Sequence, residues 1–295
     1  MKRTGFLIGF LVLLFLPGKS QKVVPGDQSI RIISYNIWNG FEENSRKDTF
    51  IQWIQEEDPE IVALQELVGF TQKDLADLGA TYGHPYVAIL KEKGYPVGIS
   101  SKKPIEVITR QVEGYWHGMM HVKTYDLDII IIHLSPFEWS YRLKEAQAIT
   151  NYIENKKLES YLIMGDFNAF SPFDADILEK HNALIDDMKD WDLKQKEYKN
   201  MRGNRFDYSV LSEFLSKGMA DACQLFVPAK QRMSYPTSTL YGWEWGDLRL
   251  EPLGQRLDYI MVAPRLIDRV INATVHNGKE TDTISDHYPV SVELK

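Results

Sequence analysis

Six short segments of this chain place a polar residue at or beside an apolar run. Asn36 lies in Ile33-Ser-Tyr-Asn-Ile-Trp, Glu66 in Val62-Ala-Leu-Gln-Glu-Leu, and His133 ends a run of four isoleucines. Asp166 and Asn168 lie in Met164-Gly-Asp-Phe-Asn-Ala, Asp258 in Arg256-Leu-Asp-Tyr-Ile, and Asp286 and His287 in Ser285-Asp-His-Tyr-Pro-Val. Singly, each has an ordinary explanation as a turn residue or a cap. Gathered at one end of a sheet, they would offer hard oxygen donors suited to Mg²⁺ or Mn²⁺, with Ca²⁺ a weaker match. They would also offer a carboxylate able to deprotonate water, and amide and imidazole groups able to stabilise charge on oxygens about phosphorus. Asp166 and Asn168 would project together, because alternate residues of an extended segment share a face. Such a set suits the hydrolysis of phosphoesters, whose own negative charge repels a nucleophile.

The elements that must position these groups alternate between strand and helix. Short β-branched runs predict strands at 30–37, 61–67, 86–90, 98–100, 128–133, 161–164, 257–262, 270–275 and 290–294. A looser alternation from Val107 to Ile132 turns at Tyr125-Asp126. Apolar residues at helical spacing predict helices over 45–56, 138–155 and 208–217, with shorter ones after Thr71 and Ser171. Residues 186–207 are polar and rich in Lys and Asp, and read as a solvated surface insertion. Strand hairpins with interspersed helices suggest sheets faced by helices rather than a doubly wound nucleotide fold. The glycine-rich loops that cradle dinucleotides or ATP are missing from the sequence.

The composition is that of an ordinary globular protein of 295 residues, 44% hydrophobic and 25% charged. A single cysteine, Cys223, excludes an intrachain disulfide and a cysteine-rich zinc module. Lys2 and Arg3 precede an apolar run from Gly5 to Leu16, followed by Pro17, Gly18 and Ser20. That is the pattern of a secretory signal peptide over residues 1–20, too short to span a bilayer, leaving 21–295 as one catalytic domain. The expected location is therefore secreted or periplasmic, with no transmembrane segment after cleavage, and the expected state a monomer. Cleavage removes Lys2, Arg3 and Lys19 and no acid, making the chain three charges more negative than its formal −7. An acidic chain disfavours a sequence-blind nucleic-acid binder, which needs a basic track for phosphates.

Gln65-Glu66, Gly165-Asp-Phe-Asn and Ser285-Asp-His, in this order along the chain, resemble the endonuclease/exonuclease/phosphatase superfamily of deoxyribonuclease-I-like phosphoesterases. The resemblance runs from about Ile33 to Val290. It implies a four-layer α/β sandwich, with two packed mixed sheets, helices on the outer faces, and the active site at one end of the sheets. It further implies that Asn36, Glu66 and Asp286 serve a divalent metal, and that Asp166 orients and deprotonates the attacking water. Asn168 would bind a phosphoryl oxygen, His287 the scissile phosphate, and Asp258 would orient His287. His133 occupies a position where some branches place a second catalytic histidine and others a tyrosine.

Two further features take simpler readings. His117 and His121 are four apart, but Gly114 and Gly118 argue against a helical zinc site, leaving strand or loop residues. Cys223 reads as a small buried hydrophobe. Two aromatic stretches, around Trp116 and around Trp243 and Trp245, read equally as loops packed against the sandwich or as surfaces that contact a base, a sugar, a lipid headgroup or a membrane. The leading expectation is a secreted, metal-dependent phosphoesterase cleaving a small or lipid-headgroup phosphodiester by direct water attack. The alternatives are a secreted nuclease and a non-catalytic binding protein that keeps the fold.

Overall fold

The computed structural model describes residues 29–42, 44–240 and 254–295. The signal-peptide reading of residues 1–20 and the positions of Trp243 and Trp245 lie outside them. Among the described residues, no helix is long and apolar enough to cross a membrane.

Two six-stranded sheets dominate the architecture. One begins with β1 (Ile30–Asn36), β2 (Ile61–Gln65), β3 (Tyr86–Ile89) and β4 (Gly98–Ser101). The other begins with β5 (Glu106–Gln111), β6 (Met119–Thr124), β7 (Leu127–His133) and β8 (Tyr161–Asp166). A small hairpin follows, β9 (Met201–Arg202) with β10 (Arg205–Phe206). Then β11 (Ala220–Asp221) and β12 (Asp258–Val262) complete the second sheet, and β13 (Val270–Val275) and β14 (Val290–Leu294) the first. The orders are β13-β14-β1-β2-β4-β3 and β11-β12-β8-β7-β6-β5. The helices are α1 (Asn44–Glu57), α2 (Gln72–Thr81), α3 (Trp139–Lys156), α4 (Ala175–Leu178), α5 (Asn182–Lys194), α6 (Ser209–Ser216) and α7 (Ala222–Phe226).

The four isoleucines of β7 show why the sandwich has four layers. Ile129 and Ile131 point into the core shared with Ile32, Ala63 and Val292 of the other sheet. Ile130 and Ile132 point the other way, against Ala146 and Ile149 of α3 and Phe214 of α6. All four are fully buried, each contributing about 1.5–3 kcal/mol of hydrophobic stabilisation. A strand with solvent on one face would alternate with polar residues, so the unbroken run marks a strand covered on both sides. The first sheet repeats the pattern, with Ile33, Tyr35, Val62 and Leu64 facing Phe50 and Ile54 of α1 and Leu75 of α2. Thr71 caps α2 in a reciprocal box with Asp74.

One segment departs from the sequence reading. Residues 186–207 are largely at the surface but are anchored to the core: Met188 of α5 and Met201 and Phe206 of the β9–β10 hairpin are buried in a fourth apolar cluster with Phe170 and Tyr235. Polar composition hid this, because only one residue in three or four of an amphipathic helix needs to face the core.

Candidate active site

Strand direction brings the polar segments to one place. β1 runs parallel to β2 with Asn36 opposite Gln65, and β7 runs parallel to β8 with His133 opposite Asp166. β12 is antiparallel to β8 and starts where β8 ends, so Asp258 also lies opposite Asp166. β14 is antiparallel to β1, which leaves the preceding Asp286 and His287 at the same end. Asn36, Glu66, His133, Asp166, Asn168, Asp258, Asp286 and His287 thus converge from both sheets.

Asp166 is the hub. Its Oδ2 accepts from Asn36 Nδ2 at 3.1 Å, lies 3.4 Å from His133 Nε2 and 3.8 Å from His287 Nε2. Its Oδ1 accepts from the backbone N–H of Asn168 at 2.8 Å. Asn168 stands at φ 47 and donates its amide to the Leu134 carbonyl at 3.0 Å, which fixes the side chain beside the cleft. Gly165 has φ 144, and a Cβ there would lie 1.9 Å from the Ile132 carbonyl oxygen, so only glycine lets the two strands close up before Asp166.

Glu66, also at positive φ, is held by the loop after β1. Its Oε2 accepts from Asn39 N at 2.9 Å and its Oε1 from Asn36 Nδ2 at 3.2 Å. Gly40 belongs to this loop at φ 69, where a Cβ would meet the Val68 carbonyl at 2.3 Å. His287 Nδ1 lies 2.8 Å from Asp258 Oδ2, which also accepts from Ser234 Oγ at 2.7 Å. Ser285 Oγ donates to the Asn36 carbonyl at 2.7 Å, joining the first and last of the segments.

Burial and neighbouring charge give these groups distinct protonation behaviour. Burial raises the carboxyls of Asp166 and Asp286 to about 7, with the neighbouring acids adding to the effect. Burial disfavours the charged form of His287, but Asp258 and Asp286 outweigh it and lift its pKa well above the ordinary value. Burial holds His133 well below that value, and the nearby imidazoles push in the same direction. Asp166 therefore has a cationic histidine on one side and a neutral one on the other.

The donor set fits a divalent metal. Buried acids whose pKa values are raised by burial and by one another stabilise an added positive charge. Asp166, Asp258 and His287 present ligand atoms within 4.8 Å of one another. His287 Nδ1 and Asp258 Oδ2 are engaged with each other, however, so the oxygens of Glu66, Asp286, Asn36 and Asp166 are the better donors. An all-oxygen set suits a hard cation such as Mg²⁺ or Mn²⁺.

His117, read from the sequence as a strand or loop residue, belongs to the cleft. Its ring stacks on that of His133 with centroids 4.1 Å apart, and burial lowers its pKa to about 4. The available signal was its place just before β6, which pairs with the strand ending in His133. His121 has no share in this: it contacts Tyr152 and Asp128, so the two histidines form no common metal site. Cys223 is buried and unpaired by disulfide, as its composition-based reading expects. Trp116 is half exposed and lines the cleft, whose volume is about 480 Å³. Met188, Trp191, Tyr198 and Asn200 line it too, so α5 and the segment after it form part of its wall.

The fold recurs in known proteins. A DNA-(apurinic or apyrimidinic site) endonuclease of Dictyostelium discoideum is 26% identical over 276 residues, covering 90% of this chain and 71% of its own. An exodeoxyribonuclease of Bacillus subtilis is 24% identical over 280 residues, covering 89% of this chain and 98% of its own. Among solved structures, an AP endonuclease from Archaeoglobus fulgidus superposes with a TM-score of 0.67 at 18% identity, over 90% of this chain and 99% of that one. A 3′ phosphatase from Neisseria bound to a product DNA hairpin gives 0.64 at 18% identity, with 90% and 99% covered. Residues 33–287 match the Endonuclease/Exonuclease/phosphatase family. The chain belongs to that family, and it is a hydrolase of phosphoester bonds.

Proposed function

We propose that this protein is an exported, divalent-metal-dependent phosphodiesterase that uses water as its nucleophile and nucleotidyl esters as its substrates. The observation that supports the chemistry is the position of Asp166, within 3.4 Å and 3.8 Å of His133 and His287, with Asp258 behind His287. Lying between the two imidazoles, the Asp166 carboxylate is placed to take a proton from water. His287, kept cationic by Asp258, offers Nε2–H to a phosphoryl oxygen as charge grows there. Asn168, fixed through its own amide and backbone, borders the same space and orients the ester. Asn36, Glu66 and Asp286 would hold the metal, which supplies Lewis-acid stabilisation of the phosphoryl oxygens when bound.

The names of the relatives support a nucleic-acid substrate class. Those relatives are named for DNA or its abasic sites, and one solved neighbour is bound to a DNA hairpin. Nucleic acid therefore ranks above the lipid-headgroup ester that overall charge alone had favoured. The small-ester reading keeps one observation in its support: no Lys or Arg lines the cleft among the described residues. The test is a substrate panel on the purified protein at about 0.15 M salt, with Mg²⁺ and with EDTA. We expect metal-dependent cleavage of nucleotidyl diesters. Hydrolysis of phosphocholine esters with nucleotidyl diesters untouched would overturn the substrate class, and full activity in EDTA would overturn the metal.

A further inference from the structure

An unbroken series of rings leads away from Asp166. His133, whose Nε2 lies 3.4 Å from Asp166, stacks on His117 at 4.1 Å. His117 meets Trp116 at 6.4 Å, Trp116 meets Phe137 edge-on at 4.3 Å, and Phe137 meets Tyr198 at 4.8 Å. Tyr198 in turn meets Trp191 of α5 at 6.2 Å. Three separate parts of the chain contribute: the turn before β6, the loop after β7, and the segment 191–198.

This wall is braced. Arg142, buried in α3, donates to the Phe137 carbonyl at 2.8 Å and to Asn200 Oδ1 at 2.9 Å. The Asp192 carboxylate accepts from the backbone N–H groups of Asn200 and Met201 at 3.0 Å and 2.8 Å, and Trp139 N donates to the Lys199 carbonyl at 2.8 Å. Arg142 occupies the oxygen of the Asn200 amide, which leaves the nitrogen as the donor for a ligand. On the cleft lining, Gln255 is also buried, and its Nε2 has no hydrogen-bond partner among the described residues.

Resting on the nucleotidyl reading above, we propose that the ring series is a stacking subsite for one unpaired nucleobase attached to the scissile phosphate. Binding to duplex DNA draws on Lys and Arg contacts to many phosphates, and no such residue lines this cleft among the described ones. Base stacking on aromatic faces needs no positive track and is worth about tenfold or more in affinity per base. Every base offers a flat face, and the amide donors of Asn200 and Gln255 suit ring carbonyl oxygens. The subsite thus favours single nucleotides and unpaired strand ends over paired DNA.

Two esters separate this inference from the function it rests on: the p-nitrophenyl ester of thymidine 5′-monophosphate and methyl p-nitrophenyl phosphate. Both are phosphodiesters with one leaving group, and only the first carries a base. We expect kcat/KM for the nucleotidyl ester to be at least about tenfold higher. Tyr198→Ala should raise KM for that ester several-fold more than for the methyl ester, and Tyr198→Phe should keep the preference. Equal kcat/KM for the two esters in the unaltered protein would overturn the subsite while leaving the phosphodiesterase reading intact. If neither ester is hydrolysed, that reading fails, and binding then decides the subsite. Thymidine 5′-monophosphate should quench tryptophan fluorescence saturably and more tightly than deoxyribose 5-phosphate, and equal affinity for the two would overturn the proposal.

Discussion

Two histidines stand on either side of Asp166 at nearly the same distance, yet their surroundings make them opposites. His287 faces carboxylates, with Asp258 at 2.8 Å from its Nδ1, and is held in its cationic form. His133 has another imidazole on its face and no hydrogen-bond partner for its buried Nδ1, and is held neutral. The same side chain thus offers a charged donor on one side of the hub and an uncharged ring on the other. Residue type alone cannot assign a role here, because the balance of burial, neighbouring imidazoles and carboxylates decides which form is present.

The largest effects should come from the hub and its charged side. Asp166→Ala and His287→Ala should each lower kcat by at least about 10²-fold, the scale of one acid–base or electrostatic group. Retention of most activity by either variant would remove that group from the reaction. Next comes the pairing itself. Asp258→Asn acts through His287, so the Asp258→Asn/His287→Ala double variant should lose less than the product of the single losses. Multiplicative losses would mean that the two residues act independently.

The neutral side should matter less. His133→Ala is expected to give a clear but smaller loss in kcat than His287→Ala, and equal losses would erase the distinction between the two. The smallest effect concerns the support of that side. Glu145 accepts the backbone N–H groups of Trp116 and Ser135 at 2.8 Å each, and burial raises its carboxyl from 4.5 to about 7. The folded chain then holds a proton that the unfolded chain has released. This contribution to stability is full below about pH 4.5 and is lost as the pH rises through about 7. Glu145→Gln should flatten the pH dependence of the urea midpoint across that window. An unchanged slope would show that Glu145 does not titrate there.

The charged side and His133 were legible in the sequence, and the packing around His133 was not. Asp166, Asp258, Asp286 and Glu66 sit at or next to strand ends, where periodicity predicts the strand and residue type suggests the chemistry. Parallel and antiparallel pairing then leaves few ways for those ends to lie apart. His117 and Tyr198 are different. Their importance depends on contacts between loops, such as Arg142 with Asn200, that no local pattern encodes. The segment 186–207 also has few apolar residues, so its burial of Met188 and Met201 was masked by its exposed face.

The pairing of β14 with β1 has a kinetic consequence. Ser285 and Asn36 are joined across 249 positions, and the cluster draws on residues from 36 to 287. Such long-range closure forms late, since distant segments must meet before their contacts can offset the entropy of closing the loop. A partly synthesised or clipped chain that lacks β14 would have its sandwich open beside Asn36, with Glu66 and Asp166 no longer held by a common frame. Hydrolytic activity should therefore appear only with the last strand in place, which makes turnover a sensitive reporter of complete folding.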